Sequence, residues 1–408
     1  MVTSSADALV ITTRPLPEPV ALLSWLPSPH GALSWVRQGD GLVGWGVAAR
    51  LTARGDGRFA QALRWWQRLT AAARIRDDLG TPGSGPVAFA SMAFADHPGH
   101  SVLILPKVVV GRRDGVSWMT TVGSPTVPAS QPVAASRGVR YRHGWIGDTA
   151  HRRSVAAAIS RIKAGELDKV VLARDLLATA DRPLDERYVL ARLAAEYPTS
   201  WVYAVDGLIG ATPELLLRRE RDSVSARLLA GTTWPRPGRS SAASLARDLL
   251  ASGKNRAEHR YAVQSLVEAL APFCSRLDVP HEPSVLHLPN LSHLATEVHG
   301  TLAADAPLLD LVARVHPTAA VAGSPRSAAM RLISELEPMD RGGYLGPVGW
   351  LDAQGNGEFG VALRCARLRG ETVRLFAGGG VVADSDPDTE AEEVAAKFRV
   401  FQSALTSR

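Results

Sequence analysis

Short apolar runs bounded by glycine-containing turns recur along this chain, and that spacing most restricts what it can fold into. Val43 to Ala49, Val102 to Val110 and Val116 to Val122 are short for helices, and pairs such as Asp114-Gly115 break them where a tight hairpin would turn. The first 140 residues therefore read as β-rich, with one helix over Arg58 to Ala73. From His151 the pattern changes. A helix over Arg152 to Ala164 closes at Gly165, and the strand-like run Lys169 to Leu177 follows. Next come a helix over Leu184 to Glu196, a hairpin of apolar strands through Leu217 and a long helical stretch from Ala242 to Phe273. Ser324-Pro325 reads as a serine cap with proline at the first helical position, opening a helix that stops before Pro338. Strands around Val348, over Gly360 to Arg369 and over Thr372 to Phe376 lead to a closing helix. Strands and helices do not alternate as βαβ units, so the predicted class is α+β with large antiparallel sheets.

With 408 residues the chain forms one large elaborated domain or two to three smaller ones. Apolar residues at 46% and charged residues at 21% argue against disorder, a collagen-like chain or a coiled coil. No uncharged apolar run reaches the length of a membrane span, so no membrane association is expected. Met1 to Pro15 lacks a basic start and carries Asp7 within its first apolar stretch, which predicts no signal peptide and a cytoplasmic protein. Cys274 and Cys365 are too few for a disulfide framework or a structural zinc site. The net charge of +6 is spread along the chain without a basic run, which favours a solvated surface over nucleic-acid binding. Only Lys107, Lys163, Lys169, Lys254 and Lys397 are lysines, against a large majority of arginines. A retained lysine marks a place where an ammonium does what a guanidinium cannot, such as losing its proton when buried.

Three segments carry candidate chemistry. In the closing helix, Thr389-x-x-Glu392 reads as a capping box that places Glu390 in the first turn. Val394, Phe398, Phe401 and Leu405 form its apolar stripe, with Glu390, Glu393 and Lys397 along one edge. That edge is either a solvated i,i+4 ion pair or two carboxylates bordering a buried site. On the long helical stretch Lys254, Glu258 and Tyr261 cluster, with Glu258 at the border of the stripe made by Ala262, Leu266 and Leu270. Carboxylates so placed suit a hard cation such as Mg²⁺, although Glu258 taken alone also fits a solvated helix and His259 a core histidine. Ala377 to Gly380 and Leu229 to Thr233 each read as a glycine turn after a strand, able to bring N–H groups up to an anion. Neither matches a P-loop or dinucleotide fingerprint, and HExxH, CxxC and GxSxG are absent from the sequence.

Placed in order, the segments form a series. Lys169-Val-Val-Leu-Ala-Arg174, Gly210-Ala-Thr-Pro-Glu-Leu215, Leu229-Ala-Gly-Thr232, Lys254-Asn-Arg-Ala-Glu-His259 and Leu291-Ser-His-Leu294 come first. His316-Pro-Thr-Ala-Ala-Val-Ala-Gly323, Gly346-Pro-Val-Gly349, Ala362-Leu-Arg364, Ala377 to Val382 and Glu390-x-x-Glu393-x-x-x-Lys397 continue it. This series, over residues 150–405, resembles the chorismate-utilising enzymes, and within them the isochorismate synthases most. The resemblance implies a chorismate-binding fold, with large antiparallel sheets in a central sandwich and helices outside. Residues 150–405 would be its catalytic region and residues 1–140 a divergent β-rich half of one integrated domain.

The same resemblance implies roles. Lys169 would activate a water to attack C2 of chorismate, and Glu214 would protonate the departing C4 hydroxyl. Glu258 and Glu393 would hold Mg²⁺, with Glu390 in its outer shell. Arg364, Lys397 and the backbone at Gly231, Thr232, Gly378 and Gly379 would bind the two substrate carboxylates, while His293, Thr318 and Tyr344 would line the ring pocket. Ala230 stands where aminodeoxychorismate-forming members carry a lysine nucleophile, which disfavours a covalent intermediate, and anthranilate synthases usually lack the lysine found at 169. Salicylate synthases share Lys169 and the metal carboxylates and add pyruvate elimination. Asn255 departs from the acidic residue usual in its block, which bears on the outer metal shell. A monomer acting on chorismate in menaquinone or siderophore biosynthesis is expected.

Overall fold

Three tight hairpins set the antiparallel architecture. Gln38-Gly39, Asp114-Gly115 and Asp206-Gly207 all have positive φ, at 52° and 86°, 50° and 82°, and 54° and 76°. They join Leu33–Arg37 to Asp40–Trp45, Val108–Arg113 to Val116–Val122, and Trp201–Val205 to Leu208–Thr212. Two-residue turns of this hand match the twist of the strands they connect, and glycine takes the second position without a Cβ penalty. This computed structural model describes residues 9–17, 21–126, 128–234, 241–289 and 291–406; the opening residues weighed for a leader lie largely outside them.

Two sheets result. The larger, of thirteen strands, runs from Arg140–His143 through Lys169–Thr179, Thr372–Val381, Cys365–Arg369 and the Leu208–Thr212 and Trp201–Val205 hairpin to the N-terminal strands. The smaller, of ten strands, includes Leu291–Leu302, Ser223–Thr233, Leu215–Glu220, Gly357–Val361, Pro347–Asp352 and Val87–Ser91. Strand pairing is antiparallel except between Val10–Leu16 and Arg74–Asp77. Strands from before and after residue 150 hydrogen bond in both sheets, as Ser34 to Val36 do with Val202 to Ala204, and Val87 to Ser91 with Val348 to Asp352.

The alternation of strand side chains explains how so many apolar runs are consumed. Trp35, Trp118 and Tyr203 of the large sheet share a core with Phe89, Leu103 and Phe359 of the small one. Their strand neighbours Val36 and Ala204 face the other way, onto Leu190 and Leu193 of helix Glu186–Glu196 and onto Val394, Phe398, Phe401 and Leu405 of helix Pro387–Leu405. The large sheet is thus buried on both faces at its centre. No helix among the described residues is long and apolar enough to cross a membrane.

Several sequence readings are corrected. The closing helix starts at Pro387, capped by Asp386, whose carboxylate accepts from the Thr389 amide at 2.9 Å; proline fixes the start ahead of the expected Thr389 box. The stretch from Ala242 breaks into Ala242–Ala251 and Gly253–Leu270, because Ser252 adopts an extended ψ of 111° and caps the second helix. Ser324 caps nothing: it pairs with Lys169 in the short strand Gly323–Ser324, and the next helix spans Arg326–Leu336. Both glycine segments lie inside strands, and Gly360 to Arg369 divides at Arg364, which has φ 46°.

Close packing gives one test of this core. A Cβ on Gly111 would stand 2.2 Å from the Trp118 indole, itself fully buried. Gly111→Ala is expected to destabilise the protein by about 1–3 kcal/mol, read as a lowered urea midpoint.

Candidate active site

The site forms where the two sheets each lose their regularity. Val171, Leu172 and Ala173 pair with Gly380, Gly379 and Gly378. The Cys365 strand pairs only as far as Leu375, so from Phe376 onward the glycine-bearing strand runs along a cavity. In the other sheet, Gly231 at φ 75° bulges between Ala230 and Thr232, which pair with Leu294 and His293. Asn255 Oδ1 accepts from the Thr232 amide at 3.2 Å and so holds this bulge.

Glu214, Gly231, Thr232, Glu258, His293, Tyr344, Arg364, Gly378, Gly379 and Lys397 all line the cavity. Thr318 does not. Its carbonyl accepts from the Val321 and Ala322 amides, and that turn presents Val321 to the cavity in its place. Tyr344 stacks on Phe376 with centroids 5.3 Å apart and planes 11° from parallel, giving a flat apolar wall suited to a ring. In the sequence Phe376 reads only as the end of a strand, whereas the strand continues to Val381 and carries it along the cavity.

Three of the five lysines meet the three predicted metal carboxylates. Lys169 is fully buried and its Nζ lies 3.2 Å from Glu258 Oε1. Lys254, a turn ahead of Glu258, donates to Glu390, while Lys397 donates to Glu393 Oε1 at 2.6 Å and to the Gly378 carbonyl at 2.8 Å. Glycine makes this approach feasible. A Cβ on Gly380 would stand 2.0 Å from Glu258 Oε1 and 3.0 Å from Lys169 Cε, and one on Gly379 would meet Glu390 Oε2 at 3.1 Å. Among the described residues no three acidic, histidine or cysteine side chains enclose a cation as they stand. One oxygen, Glu390 Oε2, is nevertheless buried without a hydrogen-bond partner, which fits a role beside a cation.

Burial divides the acids. It pushes the Glu214 carboxyl up to about 8, with Lys169, the Leu229 amide and Arg364 pulling the other way. Burial also works to raise Glu258, but Lys169, Lys254 and Lys397 outweigh it and hold this carboxylate below its ordinary value. Burial, then Glu393, raises Glu390 to about 7. Burial lowers Arg364 to about 10, so it stays cationic at neutral pH, and it keeps His293 far below its ordinary value. Arg364 donates into His293 Nε2 at 2.5 Å, which leaves Nδ1–H to donate to the Gly231 carbonyl at 3.2 Å. Its Nε and Nη1 are buried with no partner among the described residues. A buried guanidinium with two idle donors calls for an anion in the cavity.

Comparison with known proteins agrees with this geometry. Residues 128–406 match a family model described as chorismate binding enzyme. The chain is 39% identical over 257 residues to an isochorismate synthase of Bacillus subtilis, covering 62% of this chain and 55% of that protein, so it spans little over half of that relative's length. It is 36% identical over 338 residues to the protein named "Putative isochorismate synthase MenF" of Mycobacterium tuberculosis strain H37Rv, covering 79% of this chain and 87% of the relative. The solved menaquinone-specific isochorismate synthase of Escherichia coli aligns with TM-score 0.82 and 27% identity over 98% of this chain and 95% of that one. Fold, site and comparisons together place the chain in the chorismate-binding enzyme family.

The bare glycine run gives a sharp test. Gly380→Ala inserts a methyl where Glu258 and Lys169 now sit. Catalytic turnover is expected to fall about a hundredfold while the circular dichroism spectrum is retained.

Proposed function

We propose that this enzyme isomerises chorismate to isochorismate in a Mg²⁺-dependent reaction. One observation carries the reading: a carboxyl raised to about 8, Glu214, lines the cavity, and a fully buried lysine, Lys169, stands behind that lining with its Nζ 3.2 Å from the cavity carboxylate Glu258. Displacing an allylic hydroxyl needs a proton donor at the leaving oxygen and a proton acceptor at the attacking water. Glu214 keeps its proton at neutral pH and gives it to the C4 hydroxyl, which departs as water. Lys169 takes a proton from the water whose oxygen bonds to C2, and the C1=C2 and C5=C6 double bonds shift to C1=C6 and C4=C5 as the C4–O bond breaks. One water enters and one leaves, so substrate and product are isomers.

The remaining groups bind and orient. Idle donors of Arg364 meet one substrate carboxylate, Lys397 and the exposed edge at Gly378 and Gly379 offer further positive potential, and the Tyr344–Phe376 wall takes the ring face. Glu258, Glu390 and Glu393 are the residues that would hold Mg²⁺, which when bound supplies positive charge for a substrate carboxylate. Incubation with chorismate and Mg²⁺, with products separated chromatographically, tests the whole reading. Isochorismate alone supports it; salicylate with pyruvate would show elimination following hydration; unconsumed chorismate would overturn it.

Three outcomes follow for variants and pH. Lys169→Gln should bind chorismate yet lose about a hundredfold or more in kcat, and Lys169→Arg should do no better, since guanidinium stays protonated. Glu214 works in its protonated form, so kcat should fall as pH rises through about 8, and Glu214→Gln should remove that limb together with most of the activity. Glu258→Gln should abolish calorimetric Mg²⁺ binding and leave a cooperative melt, because this carboxylate lines the cavity and packs no core.

A further inference from the structure

The Lys169 strand has a continuous neighbour on one side only. On its other side Gly323–Ser324 pairs with Lys169 and Val170, and Arg140–His143 pairs with Leu176 to Thr179. Between those segments the Val171 amide donates to the Ala322 carbonyl, and two side chains supply what a strand would. Glu337 Oε1 accepts from the Ala173 amide at 2.7 Å, and Arg341 Nη2 donates to the Val171 carbonyl at 2.7 Å. The two residues are also bonded to each other, Arg341 Nε to Glu337 Oε2 at 2.8 Å and Nη2 to Oε1 at 2.6 Å.

This pair reaches further than the strand. Arg341 Nη1 donates to the Val321 carbonyl at 3.4 Å, and the Arg341 carbonyl accepts from the Tyr344 amide at 2.9 Å. Val171, Val321 and Tyr344 all line the cavity, so one ion pair is tied to three of its walls. Local sequence explains the placement: Pro338 cannot follow a helical residue comfortably, so helix Arg326–Leu336 ends and Glu337 turns extended, with φ −113° and ψ 100°. Both side chains are almost wholly buried, 2% and 3% exposed, and the guanidinium lies 4.4 Å over Phe94. A buried ion pair adds little stability over apolar residues of the same volume, because desolvation offsets its attraction. What it does supply is direction, through hydrogen bonds that apolar residues lack.

We propose that Glu337 and Arg341 are the positioning pair of the active site, standing in for a strand at Val171 to Ala173 and thereby fixing the lysine-bearing strand against Val321 and Tyr344. The activity arm of its test rests on the isochorismate synthase reading; the exchange arm does not. In the full chain, Glu337→Gln leaves one acceptor oxygen for donors that now share two, and Arg341→Lys keeps the charge but cannot reach Glu337, Val171 and Val321 together. Each should lower kcat about tenfold or more with KM for chorismate held within about threefold, and should speed amide hydrogen exchange across residues 170–175. Asp185→Asn is the control. It breaks another buried pair, Asp185 with Arg187, whose hydrogen bonds among the described residues go to the segments at Leu26 and Pro27 and at Gln131 to Ala134, not to the cavity lining, and should lower stability without altering kcat or that exchange. A kcat loss no larger than the control's at equal stability loss, or unchanged exchange in the strand, would overturn the proposal. Should Glu337→Gln fail to fold, Arg341→Lys decides the matter. Should the wild type make no isochorismate, the functional reading falls, and exchange alone then decides for or against the positioning pair.

Discussion

Everything in the active site depends on one strand being bare. Where Val171 to Ala173 pair with Gly380 to Gly378, the absence of side chains lets carboxylates and ammonium groups from two helices and a neighbouring strand come up against the backbone. Glu258 and Lys169 press on the strand at Gly380, and Glu390, with Glu393 beside it, at Gly379. The strand's free edge from Phe376 onward then runs along the cavity. Any side chain here would push apart the groups whose closeness sets the charge balance of the site.

That balance is built with ammonium rather than guanidinium groups in a chain that otherwise favours arginine. Lys169, Lys254 and Lys397 each meet one glutamate, and a compact point charge on a flexible stem fits between a carboxylate and a glycine backbone as a planar fork would not. Arginine takes the opposite duty. Arg364 holds an unusual positive φ, reads the neutral face of His293 with one nitrogen and keeps two donors for an anion. Strain of this kind at a residue facing a cavity is what function rather than stability explains.

Much of this was visible in the sequence. Hairpin turns such as Asp114-Gly115 and the apolar stripe of the closing helix depend on local chemistry, and local chemistry is what a sequence displays. The scarcity of lysine marks five positions, of which Lys169, Lys254 and Lys397 meet glutamates at the site, while the sequence alone shows Lys254 beside Glu258 and not its partner Glu390. What stayed hidden depends on distant pairing. Triple glycine reads as a turn unless the strand opposite is known, and Thr318 reads as a pocket residue unless its carbonyl is seen closing a turn that presents Val321 instead. Glu337 and Arg341 carried no signal, because an ion pair that completes a sheet edge looks like any i,i+4 pair on a helix end.

The order of strands in the large sheet also bears on how the protein is made. The lysine-bearing strand must wait during synthesis for Thr372–Val381, which emerges from the ribosome only after both sheets' other central strands have been produced. Until then an apolar strand carrying Val170, Val171 and Leu172 keeps its long edge open. Such an edge is a template for pairing with a neighbouring nascent chain. A chain stalled before this point would therefore hold an open apolar edge prone to aggregate, whereas the last hairpin, once made, closes the edge, and the helix that follows brings Lys397 to the cavity.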